Sequence, residues 1–213
     1  MASTSTVTVT FPDGSKKQYP KGTTCLEVAK SISEGLSRVV LAAKLGNNVV
    51  DLSTPIESDA PLRLFKFEDK EGLEVFRHSS AHVLAHAVRE LFPYAKPTIG
   101  PVVEEGFYYD FDHDPFSPED LAKIEKKMEE IVARKLPIQR KVLGEKQACE
   151  LFKDNKYKIE IIKSKDTSEV GGVQISAYQQ GDFIDLCRGP HVPNTGILKA
   201  IKLVKLAGAY WRG

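Results

Sequence analysis

An α+β chain built from two modules is what the sequence predicts, and three observations carry the prediction. The 213 residues are enough for one large or two modest domains, each with its own core. Residues 1–67 hold a hairpin signal, a short amphipathic helix and further β-rich runs in quick succession. After a charged, glycine-ended stretch, Glu68 to Gly72, residues 73–213 hold longer helical patterns interleaved with strand patterns. The expected architecture is a small β-grasp, ubiquitin-like domain followed by an α+β domain whose antiparallel or mixed sheet packs on helices.

Each element has a local reason. Thr and Val alternate up to Phe11, Pro12-Asp13-Gly14-Ser15 supplies turn chemistry, and Lys16 to Tyr19 returns as the second strand. Thr23 or Thr24 caps a helix whose apolar side carries Leu26, Val28, Ala29 and Ile32 and which runs out near Gly35. Strands follow at Val39–Leu45, Val49–Leu52 and Leu62–Phe67, the middle pair turning at Gly46-Asn47-Asn48.

In the second module a helix from about Leu73 must stop before Pro93, because proline disfavours helix at the residue preceding it. Thr98–Val103 and Phe107–Phe111 flank Glu104-Glu105-Gly106 as a hairpin. Ser117-Pro118-Glu119-Asp120 joins a cap, a proline at the first helical position and acids at the positive end of the helix dipole, opening a second long helix that ends near Leu136-Pro137. Gly144–Phe152 reads as a third helix, Lys156–Lys163 as a strand, and Ser164–Gly172 as a polar loop. Val173–Tyr178 and Asp182–Cys187 read as two strands joined through Gln179-Gln180-Gly181.

Thirty basic residues against 29 acidic ones leave a net charge of +1, so any nucleic-acid surface must come from local clustering. No charged leader with an apolar run opens the chain, and no segment approaches the roughly 18 apolar residues of a membrane span. Both point to a soluble, cytoplasmic protein. Cys25, Cys149 and Cys187 are odd in number and far apart, which gives no disulfide framework.

The chemistry lies in two stretches. In His78-Ser-Ser-Ala-His82-Val-Leu-Ala-His86, helical spacing puts three of the five histidines on one stripe, beside apolar Val83, Leu84 and Ala85. In Asp185-Leu-Cys-Arg-Gly-Pro-His191, a strand would point Asp185 and Cys187 to one face, and the Gly-Pro turn would fold His191 back over it. Two imidazoles from a helix, with a thiol and an imidazole from a distant turn, are zinc's preferred donors at paired short spacings. A Cys/His nucleophile pair and a buried, inert cysteine are the other readings. Valine follows His82 where a zinc protease carries its general-base glutamate, so peptide hydrolysis is unsupported.

A family resemblance spans the whole chain. The first 67 residues look like a TGS domain. His82-Val-Leu-Ala-His86, Gly100-Pro101 through Gly106-Phe-Tyr-Tyr-Asp110, Asp185-Leu-Cys-Arg-Gly-Pro-His191 and Gly208-Ala-Tyr-Trp-Arg-Gly213 resemble the N-terminal TGS and editing region of bacterial-type threonyl-tRNA synthetases. In that family the last motif lies just before the aminoacylation core. The resemblance therefore implies an editing fragment or freestanding editor that does not itself form the aminoacyl bond.

The implied reaction is hydrolysis of serine wrongly esterified to tRNA(Thr), with the core of a threonyl-tRNA synthetase acting in cis or in trans and no membrane involved. The implied catalytic residues are His82, His86, Lys158, Asp185, Cys187 and His191, with His78 as a structural neighbour. Tyr178 either stacks on the terminal base or is a structural aromatic. Arg188, with Lys199, Lys202, Lys205 and Arg212, would meet tRNA phosphates. No cofactor is required on this resemblance; if zinc is held, His82, His86, Cys187 and His191 are its expected ligands. Alanyl-tRNA editing domains share the histidine and cysteine pattern, so an alanyl-type deacylase is the enzymatic alternative. A noncatalytic RNA-binding module with a structural zinc is the other.

Overall fold

The computed structural model describes residues 5–164 and 175–208. Chain packing separates two units: one runs to Phe76 and includes Pro190–Pro193, the other comprises Arg77–Gly189 and the stretch from Asn194 onward.

In the first unit, β1 (Thr6–Thr10) and β2 (Lys16–Pro20) form the hairpin, which turns at Gly14 with φ of 82°. The Asp13 carboxylate accepts from the Ser15 N–H and hydroxyl across that turn. Helix α1 (Cys25–Ile32) starts at Thr24, whose side chain accepts from the Glu27 N–H while the Glu27 carboxylate accepts from the Thr24 N–H. A one-turn helix α2 (Glu34–Ser37) leads to β3 (Ala42–Leu45), β4 (Asn48–Val50) and β5 (Ala60–Phe65).

The sheet order is β2-β1-β5-β3-β4, with β1 parallel to β5 and the other pairs antiparallel, as a β-grasp requires. Val7, Val9 and Leu62 from the sheet, with Cys25, Val28 and Ala29 from α1, form its core. Cys25 is fully buried, and desolvation pushes its thiol up to about 11, which makes it an inert hydrophobe.

The stretch expected as a linker is already helical, because α3 spans Lys70–Leu91. The Asp69 carboxylate accepts from the Lys66 N–H, and its carbonyl receives the Leu73 N–H. Gly72 serves close packing here, since a Cβ on it would lie 1.8 Å from the Lys66 carbonyl oxygen.

In the second unit, β6 (Lys96–Pro97) pairs with β9 (Phe111–Asp112), and β7 (Val102–Val103) pairs with β8 (Gly106–Phe107) inside them. Helix α4 (Pro118–Ala133) has the expected start, a reciprocal Ser117–Asp120 box, and buries Ile124, Met128 and Ile131. Strand β10 (Ile138–Leu143), helices α5 (Glu145–Leu151) and α6 (Lys156–Ser164), and strands β11 (Ile175–Gln180) and β12 (Phe183–Leu186) follow, then a short 3-10 turn at Thr195–Ile197. The β10-β11-β12 sheet is antiparallel.

Residues 156–163 are thus helix, not strand. The Asn155 side-chain oxygen accepts from the N–H groups of Tyr157 and Lys158, and Ile161 and Ile162 bury against Ala177 and Leu186. The turn between β11 and β12 is at Gly181, φ 58°, so β11 includes Gln179 and Gln180, which were expected in the connection. The polar loop expected from 165, residues 173 and 174, and the motif from 209 onward lie outside the described residues. Among the described residues no helix is long and apolar enough to cross a membrane.

Candidate active site

The site is built on α3, α6, β12 and the Tyr109 side chain. On α3, Ala81 and Ala85 pack with Tyr109 and Phe183, which fixes the rotation of the histidine-bearing helix against the sheet. Gly100 lets Tyr109 lie flat, because a Cβ there would sit 2.3 Å from its ring. Asp185, opposite Tyr178 in the β11–β12 ladder, is 1% exposed.

Three groups surround the Asp185 carboxylate. Lys158 Nζ, itself 3% exposed, lies 2.7 Å from Oδ1, and the Tyr109 hydroxyl donates to Oδ2. Lys158 Nζ also donates to the Tyr109 hydroxyl at 3.2 Å, and His82 Nδ1 stands 3.8 Å from Oδ2. Burial opposes charge on Asp185, yet Lys158, His82 and the hydrogen bonds together hold its carboxyl below its ordinary value. His82 behaves oppositely: desolvation first, then His78 and Lys158, push it down to about 3 against the pull of Asp185. At neutral pH the His82 imidazole is uncharged beside the Lys158–Asp185 pair.

Cys187 follows on the same strand face. Its sulfur lies 3.2 Å from His78 Nε2 and accepts the Gly189 N–H at 3.2 Å. That turn needs glycine: Gly189 has φ of 76°, and a Cβ would fall 1.9 Å from the Tyr178 hydroxyl. Ligand-type atoms of His78, His82 and Cys187 all lie within 4.8 Å of one another. The His191 N–H donates to the Asp51 carboxylate at 2.8 Å.

These placements bear on three expectations. Beside Cys187 and His82 the second unit brings His78 in place of His86, so His86 does not join them as the expected zinc set of His82, His86, Cys187 and His191 has it; one helical turn moves His86 toward Gln180 and Glu90. Lys158 comes from a helix and is buried in an ion pair, not displayed on a strand. Tyr178 is 3% exposed beneath Gly189, so its ring is a support for the turn and not an open stacking platform. Arg188, Lys199 and Lys205 are exposed, Lys202 pairs with Glu125 at 2.7 Å, and Arg212 lies outside the described residues.

From sequence, His78 is read as a structural neighbour, and Tyr109 and Gln180 are given no role in the site. His78 shares with His82 the same four-residue spacing that His82 shares with His86, and Tyr109 sits inside the Gly106-to-Asp110 motif already noted. Gln180 gave no local signal.

The donor set suits zinc: imidazoles and a thiol within one ligand sphere's reach are its usual partners. His78, His82 and Cys187 would hold it.

Fold and site define a class, a TGS domain joined to a tRNA-synthetase additional domain. Residues 7–66 match the TGS domain, and residues 175–209 match the threonyl and alanyl tRNA synthetase second additional domain. Within that class, relatives similar to nearly the whole of this chain are threonine–tRNA ligases. The chain is 56% identical over 208 residues to a threonine–tRNA ligase of Nitrosomonas eutropha, with 96% of this chain and 32% of that protein covered. It is 54% identical over 209 residues to that of Coxiella burnetii (97% and 32% covered) and 52% identical over 210 residues to that of Desulforamulus reducens (97% and 32%). The chain spans about a third of the length of these curated relatives.

Proposed function

We propose that the chain hydrolyses Ser-tRNA(Thr), working in the cytoplasm with a threonyl-tRNA synthetase core in cis or in trans. The supporting observation is the neutral His82 beside the buried Lys158–Asp185–Tyr109 cluster. Serine is threonine without a methyl, and lost contacts alone discriminate by only about 1–3 kcal/mol. A second, smaller site removes the error.

In this mechanism water adds to the ester carbonyl carbon while His82, directly or through a second water, accepts its proton. Lys158 stabilises the oxyanion that forms. Asp185 positions Lys158 and takes the seryl ammonium. The oxyanion then collapses, the bond from carbonyl carbon to ribose oxygen breaks, and the proton returns to that oxygen. Cys187 and His78 form the wall that limits side-chain size, and exposed Arg188 meets phosphate. Zinc, when bound, would supply Lewis-acid polarisation of the carbonyl.

The test is release of amino acid from Ser-tRNA(Thr), Thr-tRNA(Thr) and Ala-tRNA(Ala). Serine release alone is expected. Equal release of serine and threonine refutes the sieve, and alanine release alone assigns the alanyl-type activity. The His78/His82/Cys187 group favours a second reading, a structural zinc in a noncatalytic RNA-binding module; stoichiometric zinc with no hydrolysis of any substrate establishes it. Serine release that survives chelation is expected for the metal-free mechanism.

A further inference from the structure

We infer that His86 is a positioning residue that holds His82 in register through Gln180; the inference rests on the deacylase reading. Gln180, at the end of β11, is 2% exposed, and its Nε2 faces two groups on α3: the His82 carbonyl oxygen at 3.4 Å and His86 Nδ1 at 3.2 Å. A carboxamide nitrogen only donates. Turning the amide over would put its oxygen against the His82 carbonyl, so the nitrogen belongs there. Both of its hydrogens are then used, one on each residue, and His86 Nδ1 must accept. The ring proton therefore sits on Nε2, which points at Glu90 Oε1, 3.1 Å away.

The far end of this chain of contacts is anchored. Glu90 is gripped by both Arg134 guanidinium nitrogens, at 2.5 and 2.9 Å, with Lys127 Nζ at 3.7 Å. The ring itself is stacked on Phe183, with centroids 5.1 Å apart and planes at 12°. Phe183 is on β12, two residues before Asp185. One imidazole thus touches both strands that carry the site, and through Glu90 it reaches the residue that caps the end of α4. An axial slip of α3 that moves His82 away from Asp185 must break the Gln180 contacts and unstack Phe183. His86 itself is not in the group of ligand-type atoms around Cys187.

Three substitutions at His86, with Gln180→Leu, separate this role from simple packing. Asparagine restores an acceptor near Nδ1, whereas glutamine restores only a donor near Nε2. In serine release from Ser-tRNA(Thr) by the full chain, His86→Ala, His86→Gln and Gln180→Leu should each lose roughly tenfold in kcat with KM little changed, because the reacting groups are displaced and the substrate is still bound. His86→Asn should recover most of that loss. His86→Gln combined with Gln180→Leu should be no worse than either alone. An asparagine variant as slow as the alanine one, or a glutamine variant as fast as wild type, overturns the inference.

If the wild-type chain releases no serine, the deacylase reading fails and with it the catalytic consequence. The register itself is read independently by nitrogen-15 NMR of the ring. A protonated Nε2 and bare Nδ1 at neutral pH are expected, and a protonated Nδ1 overturns it.

Discussion

Replacing Lys158 by methionine tests whether the Lys158–Asp185 pair holds the second unit together. The two side chains are 3% and 2% exposed and 2.7 Å apart. At an effective dielectric of about 20, that separation corresponds to an attraction of roughly 6 kcal/mol, set against desolvation of both ions. Methionine preserves most of the volume but strands Asp185, whose remaining partners are the Tyr109 hydroxyl and a His82 nitrogen at 3.8 Å. Removing one member of such a pair costs about 3–5 kcal/mol, and in a chain of this size about 2–4 °C of Tm per kcal/mol. Denaturant unfolding of Lys158→Met should show that loss. A second change, Asp185→Leu on the Lys158→Met background, should restore much of it, because no buried charge is left unpaired. A single variant within about 1 kcal/mol of wild type, or a double variant that loses the sum of both, refutes the argument.

Three further outcomes are expected. Stability should fall on acidification below about pH 6.5: the unfolded chain protonates His82 at its ordinary value while the folded chain resists down to about 3, so the folded state loses about 1.4 kcal/mol per pH unit in that window. Burial lowers His86 in the same direction, and unfolding free energies equal at pH 7 and pH 5 would contradict both. Gly189→Ala should cost about 2 kcal/mol or more, from left-handed backbone and the collision with Tyr178, measured by thermal unfolding. Thr24→Ala should cost about 1 kcal/mol and speed hydrogen exchange at the Glu27 amide, without altering exchange in β11.

What could be read from sequence divides along the range of the interactions. The capping boxes at Thr24 and Ser117 and the turn at Gly14 involve residues within a few positions of one another, and their residue types announce them. Residues 156–163 misled because Tyr157, Ile159, Ile161 and Ile162 suit a strand locally, while the helix depends on the Asn155 cap and on burial against strands that follow later. The choice between His78 and His86 was equally opaque. Both lie four residues from His82, and only the strand that brings Cys187 alongside decides which one meets the sulfur. Tyr109 and Lys158 converge on Asp185 from 76 and 27 positions earlier, a meeting that periodicity does not encode.

The contact between His78 and Cys187 joins residues 109 positions apart. At a synthesis rate of about 5–20 residues per second, the helix carrying His78 emerges roughly 5–20 seconds before its sulfur partner exists. The β-grasp sheet closes far sooner, since β1 needs only the strand that begins at Ala60. The nascent chain therefore carries a closed first sheet and a half-made second module, with the apolar flank of α3 incompletely covered until β12 brings Phe183. Slow codons between α3 and β12 would lengthen that exposure, which makes the interval a determinant of soluble yield that no substitution in the finished protein reveals.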